Sequence, residues 1–384
     1  MGEIYLDNAA ATPVDRRVAN EMARALKQYG NPSSFNIRGR SAREEVDSAR
    51  FKIACFLGAR AEEIIFTSSG SEANSLAILG LGLKKGEMIT TAIEHKSVLK
   101  PAERIRAVVV GVDSAGFVKL DELRKAMSEK IKLISVMYAN NEIGTIQPII
   151  KIGKLIKEFK KKLEIENCRL KIDGTKPVLF HVDACQAAGF LDMNVNHLGV
   201  DLLTFNGSKI YGPRGVGVLY ARRGVTLRPL VLGGEQEFGL RAGTENLPAI
   251  VGLAEAIKRI DLKETAKISG LCDYFISQLQ KRFPEAKING PIGEHRLSNN
   301  VSVSFPDADV ERLLLELDKY GIRAGSGSAC TSRAVEPSHV LVTIGNEKKY
   351  LHALRFSLGR QTTKNEVEYV LGVLKKILLS VSVA

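Results

Sequence analysis

The stretch Asp201-Leu-Leu-Thr-Phe-Asn-Gly-Ser-Lys-Ile-Tyr-Gly-Pro-Arg-Gly-Val-Gly217 leads from one apolar run into another through two turns rich in glycine, serine and proline. It predicts two strands with Lys209 at the tip of the first turn. Lysine is strongly hydrated and prefers open surface, so a surface hairpin lysine is one interpretation. At the end of buried strands, however, a lowered pKa would make its amine a nucleophile. The stretch alone leaves both interpretations open.

Apolar runs alternate with helical patterns along much of the chain. Seven runs are strand candidates: residues 64–67, 88–93, 107–112, 132–137, 178–182, 202–205 and 216–220. The alternation predicts an α/β fold with a mainly parallel, buried seven-stranded sheet. Ligands of such sheets bind beyond the carboxyl ends of the strands, so the polar groups there are candidates for a site. They are Ser69-Gly70-Ser71, Glu94-His95, Asn140-Asn141-Glu142, Asp183 to Gln186, and Ser208-Lys209.

Helix signals complete the predicted organisation. Asp15 is expected to cap a helix that runs to about residue 29, and Ser41 to cap the next helix. Residues 160–177 are polar and lack apolar periodicity, which predicts a surface insertion, and one long helical region is expected over residues 249–283. We predict a large domain over residues 15–250. A smaller α+β domain is expected from residues 1–14 and 251–384.

Composition describes an ordinary globular chain. The 384 residues are 45% hydrophobic and 26% charged. No apolar run reaches the ~18 residues that a membrane span needs, and the N-terminus lacks the features of a secretory signal. We therefore expect no membrane attachment and a cytoplasmic location.

Charge and cysteine content narrow the choice of partners. The net charge is +12, but the basic residues are spread over many helices and aromatic residues make up only 6%. Direct nucleic-acid binding is therefore not expected, while an acidic partner or an anionic ligand stays open. The five cysteines show no CxxC spacing, so neither a disulfide framework nor a metal site is expected.

The strand-end residues suit one cofactor in particular. Backbone N–H groups and hydroxyls at Gly70 and Ser71 can hold a phosphate. Lys209 can hold an aldehyde as a Schiff base, and Asp183 can keep a pyridine nitrogen protonated. The alternatives are structural: Asp183 would be a helix cap, and His95 a hydrogen-bonded histidine of the core or a loop.

These residues lie in a series of motifs that resembles the cysteine desulfurases of the NifS/IscS family, which are class-V, fold-type-I pyridoxal 5'-phosphate (PLP) enzymes. The resemblance covers nearly the whole chain, and its strength comes from many ordered motifs at family-like separations. The motifs are Tyr5-Leu-Asp-Asn-Ala-Ala-Ala-Thr12, Gly30-Asn-Pro-Ser-Ser34, Phe66-Thr-Ser-Ser-Gly-Ser-Glu-Ala-Asn74, Glu94-His95, Asn140-Asn-Glu-Ile-Gly-Thr-Ile-Gln-Pro148, His181-Val-Asp-Ala-Cys-Gln186, Lys209-Ile-Tyr-Gly-Pro213, Arg241-Ala-Gly-Thr-Glu-Asn246, Gly327-Ser-Ala-Cys-Thr-Ser332 and Arg355-Phe-Ser-Leu-Gly359.

The resemblance implies a role for each matching residue. Lys209 is expected to carry PLP and to move protons, His95 to stack on the PLP ring and move protons, and Asp183 to face the ring nitrogen. The other implied cofactor contacts are Gly70, Ser71, Asn141, Gln186, Asn206, Ser208 and, donated by the second subunit of a homodimer, Thr244. The implied substrate contacts are Asn8, Asn31, Asn141 and, at the substrate carboxylate, Arg355.

Cys330 is the sulfur-accepting residue in this resemblance. L-Cysteine would yield L-alanine and a persulfide on Cys330, whose sulfur would pass to an iron–sulfur scaffold or a tRNA-thiolation protein. The surrounding Gly325-Ser-Gly-Ser-Ala-Cys-Thr-Ser332 has little side-chain bulk, which predicts a mobile loop in the small domain. The alternatives are a selenocysteine lyase, another class-V PLP enzyme, or a non-catalytic subunit in sulfur trafficking.

Three features depart from the family pattern. Asn206 and Ser208 stand where the family usually has serine or threonine and histidine, and Asn36 stands where histidine is common. Residues 160–177 make a longer connection than usual. Asn206 and Ser208 can still donate hydrogen bonds to a phosphate, so the departures bear on cofactor affinity more than on the chemistry.

Overall fold

The computed structural model describes residues 2–170, 177–327 and 337–381. The strands are β1 (Ile4–Tyr5), β2 (Ile64–Thr67), β3 (Met88–Thr91), β4 (Val108–Val110), β5 (Leu133–Met137), β6 (Leu179–Asp183), β7 (Leu202–Asn206), β8 (Gly217–Ala221), β9 (Lys287–Ile288), β10 (Asn300–Ser304), β11 (Ile322–Arg323), β12 (Gly325–Ser326) and β13 (Leu354–Ser357). The helices are α1 (Arg16–Ala25), α2 (Ile37–Leu57), α3 (Gly70–Leu79), α4 (Lys96–Arg104), α5 (Leu120–Ala126), α6 (Ile149–Leu170), α7 (Val195–Leu198), α8 (Leu247–Lys258), α9 (Leu262–Arg282), α10 (Val310–Lys319), α11 (His339–Thr343) and α12 (Lys364–Val381).

The largest sheet contains all seven predicted strands, in the order β2-β8-β7-β6-β5-β3-β4. Strand β8 runs antiparallel to both of its neighbours, and the other pairs are parallel. The reversal follows from the turns between residues 206 and 217, which send the chain straight back beside β7. The prediction of a mainly parallel α/β sheet is confirmed, and Lys209 lies in the turn after β7.

A second group of strands lies outside this sheet. Strands β12, β13, β10 and β9 form an antiparallel sheet, and β1 pairs with β11. Helices α9, α10 and α12 supply buried apolar side chains to the core beside these strands, and Ile4 and Leu6 from the N-terminus join them. The second core therefore draws on both ends of the chain. The domain boundary at residue 250 stays a prediction.

Two of the predicted helix starts have different outcomes. Asp15 caps α1 by accepting a hydrogen bond from the Arg17 amide, as expected, although the helix ends at Ala25 rather than near residue 29. The prediction that Ser41 caps the next helix is wrong, because α2 begins at Ile37 and Asn36 accepts from the Gly39 amide. Asparagine caps helices as well as serine does, and Asn36 comes first along the chain.

The structure adds detail to two further expectations. Helix α6 continues to Leu170, so residues 160–170 of the expected surface insertion are helical, and residues 171–176 lie outside the described residues. Its lysines are good helix formers, and their polarity marks a solvated helix face. The expected helical region over residues 249–283 is helical and consists of two helices, because Asp261 caps α9 through the Lys263 amide. Within the described ranges, no helix combines the length and the apolar character that a membrane span requires.

Candidate active site

A cavity of about 220 Å³ lies at the carboxyl ends of β5, β6 and β7. It is the place that the strand-end rule predicts for a ligand of a parallel sheet. Side chains from distant parts of the sequence meet there. The predicted site residues that line the cavity are Gly70, Ser71, His95, Asn141, Asp183, Gln186, Asn206, Lys209 and Arg355.

The amine of Lys209 is held at the cavity wall by the N-terminal turn of the chain. Its Nζ donates to the Ala9 carbonyl at 2.7 Å and also to the Ala10 carbonyl. The Gln186 amide donates to the same Ala9 carbonyl at 3.0 Å. A lysine bound to backbone carbonyls beside a cavity is positioned for reaction with an aldehyde, which favours the nucleophile interpretation.

Asp183 ends strand β6 and is buried. Its Oδ2 accepts from Asn74 Nδ2 at 2.8 Å, and its Oδ1 accepts from the Cys185 amide at 3.0 Å. A carboxylate oriented through both oxygens beside a cavity is a suitable partner for a protonated ring nitrogen. Cys185 also lines the cavity, and burial raises the pKa of its thiol well above the ordinary value, with the negative charge of Asp183 adding to the effect.

His95 is the N-cap of α4, where its Nδ1 accepts a hydrogen bond from the Ser97 amide at 3.1 Å. The Ser97 Oγ lies 2.8 Å from the same nitrogen. Burial lowers the pKa of His95, and although Asp183 opposes this, Lys209 adds to it. The imidazole is therefore neutral at neutral pH.

Glu94, the residue before His95, is fully buried beneath the site. Its Oε1 accepts from the Thr91 hydroxyl at 2.6 Å and from the Met137 amide at 2.9 Å. Burial raises the pKa of Glu94 to about 8, since the two hydrogen bonds offset only part of the desolvation cost. The side chain is therefore mostly protonated at neutral pH.

The N-terminus of α3 lines one end of the cavity. Ser69 caps the helix, and Gly70 and Ser71 are its first two residues. A Cβ atom on Gly70 would lie 2.6 Å from Cys185 Sγ and 3.1 Å from Asn206 Nδ2, so glycine permits the close approach of these three residues. Backbone N–H groups at a helix N-terminus bind phosphate well.

Arg355 lies on β13 and is almost completely buried. Its Nη1 donates to the Gly327 carbonyl at 2.7 Å and to the Asn141 carbonyl at 3.1 Å, and its Nη2 lies 2.9 Å from Asp7 Oδ1. Its Nε is a buried donor without a hydrogen-bond partner in the part of the chain that the structure describes. A guanidinium with such a donor at a cavity wall suits a carboxylate ligand.

Several predicted residues lie away from the cavity lining. Asn8 is buried and donates to the Ser357 carbonyl at 2.8 Å, so it stabilises the N-terminal turn. Ser208 donates to Asn206 Oδ1 at 3.3 Å and thus orients a lining residue. Asn31 and Thr244 are exposed on this chain, and Cys330 lies outside the described residues.

Sequence reasoning missed two polar side chains at the site. Asn74 orients Asp183, and Ser97 contacts His95 and lines the cavity. Asn74 lies on a helix face whose neighbours Ala73, Leu76 and Ala77 are buried apolar residues. A polar residue on an apolar helix face was the available signal, because such a residue needs a buried partner.

Comparisons with known proteins agree with this geometry. Residues 4–370 match the class-V aminotransferase family. The cysteine desulfurase IscS of Dictyoglomus turgidum is 42% identical in an alignment of 390 positions, gaps included, that covers 98% of this chain and 94% of that protein. A solved structure of a NifS-like protein has a TM-score of 0.87 and 37% identity, covering 98% of this chain and 99% of that one. A structure of SspA in complex with cysteine has a TM-score of 0.79 and 33% identity, covering 94% of this chain and 100% of that one.

The fold and the site thus define a PLP-dependent enzyme of fold type I. More narrowly, the chain belongs to the class-V aminotransferase family and, within it, to the cysteine desulfurases of the NifS/IscS group. The cavity fits the cofactor, since it combines an amine at Lys209, an oriented carboxylate at Asp183 and a glycine-containing helix N-terminus at Gly70.

Proposed function

We propose that this chain removes sulfur from L-cysteine, releases L-alanine and takes the sulfur onto Cys330. The observation that carries the proposal is the cavity that joins the Lys209 amine, the Asp183 carboxylate and the buried Arg355 guanidinium. An amino acid that enters it meets a cation for its carboxylate and an amine that can move protons at its α-carbon. The kinship with cysteine desulfurases supports the choice of cysteine.

PLP, when bound, supplies an electron sink for negative charge that develops on the substrate. Lys209 would hold its aldehyde carbon, Asp183 its ring nitrogen, and Gly70 and Ser71 its phosphate. Asn206 lines the same end of the cavity, and Ser208 keeps the Asn206 side chain in place. His95 and Gln186 lie on the wall of the same cavity and would contact the ring and its substituents.

Sulfur transfer in this proposal is a displacement at the substrate sulfur. The thiolate of Cys330 forms an S–S bond while the substrate C–S bond breaks, and the electron pair of the broken bond stays with the substrate carbon, which takes up a proton. Arg355 would bind the substrate carboxylate. The Gly327 carbonyl lies 2.7 Å from Arg355 Nη1, so Gly327, three residues before Cys330 in the sequence, contacts a residue of the cavity wall.

A homodimer is part of the proposal. Thr244 is exposed on this chain, and the preceding loop exposes large apolar side chains at Leu230, Leu232 and Phe238. Burial of those side chains in a dimer would be favourable and would allow Thr244 to reach the phosphate site of the partner. The persulfide sulfur then passes to an acceptor protein in the cytoplasm, an iron–sulfur scaffold or a tRNA-thiolation protein.

Replacement of the proposed nucleophile tests the function directly. We expect Cys330→Ala to keep the near-ultraviolet absorbance of bound PLP and to lose production of alanine and persulfide from L-cysteine, because the displacement has no thiolate. Cys55→Ala, at an exposed cysteine, is the matched control and should keep full activity. Full activity in Cys330→Ala, a wild-type protein that takes up no PLP, or activity confined to selenocysteine would contradict the proposal.

A further inference from the structure

A chain of hydrogen bonds connects Asp183 to His95 through two side chains that the proposed function leaves without a role. Asn74 Nδ2 donates to Asp183 Oδ2 at 2.8 Å and to Ser97 Oγ at 2.9 Å. The Ser97 Oγ in turn lies 2.8 Å from His95 Nδ1. Asn74 is fully buried, and Ser97 and His95 are partly buried, so water has limited access to these contacts.

The directions of these bonds determine where His95 carries its proton. The Ser97 amide nitrogen lies 3.1 Å from Nδ1 and can only donate a hydrogen bond, so Nδ1 must accept it through its lone pair. A proton on Nδ1 would meet the proton of that amide. The Ser97 oxygen already accepts from Asn74, which leaves its own hydrogen free to point at Nδ1. The proton of the neutral imidazole is therefore on Nε2.

We propose that Ser97, held by Asn74, is a positioning residue that keeps His95 neutral as the Nε2–H tautomer, so that the imidazole offers the cavity a hydrogen-bond donor and directs its basic lone pair to Ser97. This inference rests on the proposed function for its catalytic meaning. It implies that His95 enters the cycle as a donor to cofactor or substrate, and that removal of a proton from the substrate falls to Lys209. The geometry at Nδ1 stands whatever the substrate is.

Charged and titratable groups from four other elements surround the imidazole. Asp183 from β6 and Glu142 from the segment after β5 favour its protonation, and Lys209 from the turn after β7 and His339 from α11 oppose it. Burial acts in the same direction as Lys209 and His339. Two hydrogen bonds donated to Nδ1 stabilise the neutral form further, since protonation of Nδ1 removes the bond from the Ser97 amide and forces the Ser97 hydroxyl to turn its hydrogen away.

The tautomer can be measured by NMR on the PLP-loaded full chain with ¹⁵N-labelled histidine. The chain has 6 histidines, and loss of one set of signals in His95→Gln identifies those of His95. We expect an unprotonated Nδ1 and a protonated Nε2 at neutral pH. In Ser97→Ala the amide donor remains, so we expect the same tautomer but a roughly two- to tenfold larger protonation constant for His95, the effect of losing one neutral hydrogen bond.

Two further variants make the result specific. Ser97→Thr keeps the hydroxyl and should restore the wild-type titration, and Ser114→Ala, at an exposed turn, should leave it unchanged. A protonated Nδ1 in the wild type would overturn the proposal, and so would a protonation constant in Ser97→Ala equal to that in Ser114→Ala. Both readouts are independent of desulfurase activity, so they remain decisive for a protein that binds PLP but does not remove sulfur from L-cysteine.

Discussion

Gly217 in β8 is the position where a single methyl group should disturb the phosphate end of the cavity without touching the cavity itself. A Cβ atom there would lie 2.5 Å from the carbonyl carbon and oxygen of Ser69 and 2.8 Å from Thr67 Oγ1, whereas ordinary contact begins at 3.4 Å. Ser69 is the cap of α3, and its backbone cannot rotate away as a side chain could. Gly217 is also paired on both sides, with Thr67 and Asn206.

Overpacking of this kind costs about 1–3 kcal/mol. We expect Gly217→Ala to lower the free energy of unfolding by that amount, measured by urea denaturation of the apoprotein. If the displaced Ser69 shifts the first N–H groups of α3, PLP affinity falls as well. A loss of about 5- to 150-fold corresponds to the same energy range, and absorbance titration of the apoprotein with PLP measures it.

Gly270→Ala is the matched control for this experiment. Gly270 is an exposed residue of α9, and a Cβ atom there meets nothing within 4 Å. The same substitution should raise stability by about 0.5–1 kcal/mol because alanine favours a helix interior. If Gly217→Ala has the same free energy of unfolding and the same PLP affinity as the wild type, the inference that β8 supports the proposed phosphate site is refuted.

Two other predictions concern buried ionisable side chains. Glu94 has a pKa raised from 4.5 to about 8, so the folded state keeps a proton that the unfolded chain releases, and stability should fall as pH rises through that window. Glu94→Gln should remove this dependence of the unfolding free energy on pH, which amounts to up to ~1.4 kcal/mol per pH unit, and should be more stable than the wild type above pH 8. Urea denaturation at several pH values measures both effects. Parallel plots of unfolding free energy against pH for the two proteins would contradict the prediction. Arg355→Lys should raise the KM for L-cysteine about tenfold or more while PLP absorbance stays normal, because lysine lacks the planar set of donors. Arg323→Lys, at an exposed ion pair, should leave KM unchanged, and an equal KM in the two variants would exclude Arg355 from carboxylate binding.

The central sheet could be predicted because its strands are buried on both faces. Burial leaves predominantly apolar runs such as Leu133–Met137 and Leu202–Asn206, and polar residues at or after the end of each run mark the strand end. Helix boundaries were harder, since competing caps lie close together in sequence. Asn36 and Ser41 are equally good caps in isolation, and in the structure the helix starts at the earlier of the two.

The positions of strand ends also explain which residues of the candidate site could be predicted. Asp183 ends strand β6 and Lys209 follows β7, so the sheet brings both to one edge, where they line the cavity as expected. Asn74 and Ser97 lie on helices, where partners depend on how α3 and α4 pack against the sheet. Arg355 was named as a carboxylate ligand, but its contact with Asp7 joins residues 348 positions apart, which no local pattern reveals.

The N-terminal turn has a consequence for the timing of folding in the cell. Its carbonyl at Ala9 holds Lys209, 200 residues later, and its Asp7 reaches Arg355, 348 residues later. A ribosome needs on the order of tens of seconds to synthesise that length of chain. The N-terminal turn is therefore synthesised long before its partners, and a nascent chain that ends before β13 lacks Arg355. The cavity can therefore be complete only after β13 has been synthesised.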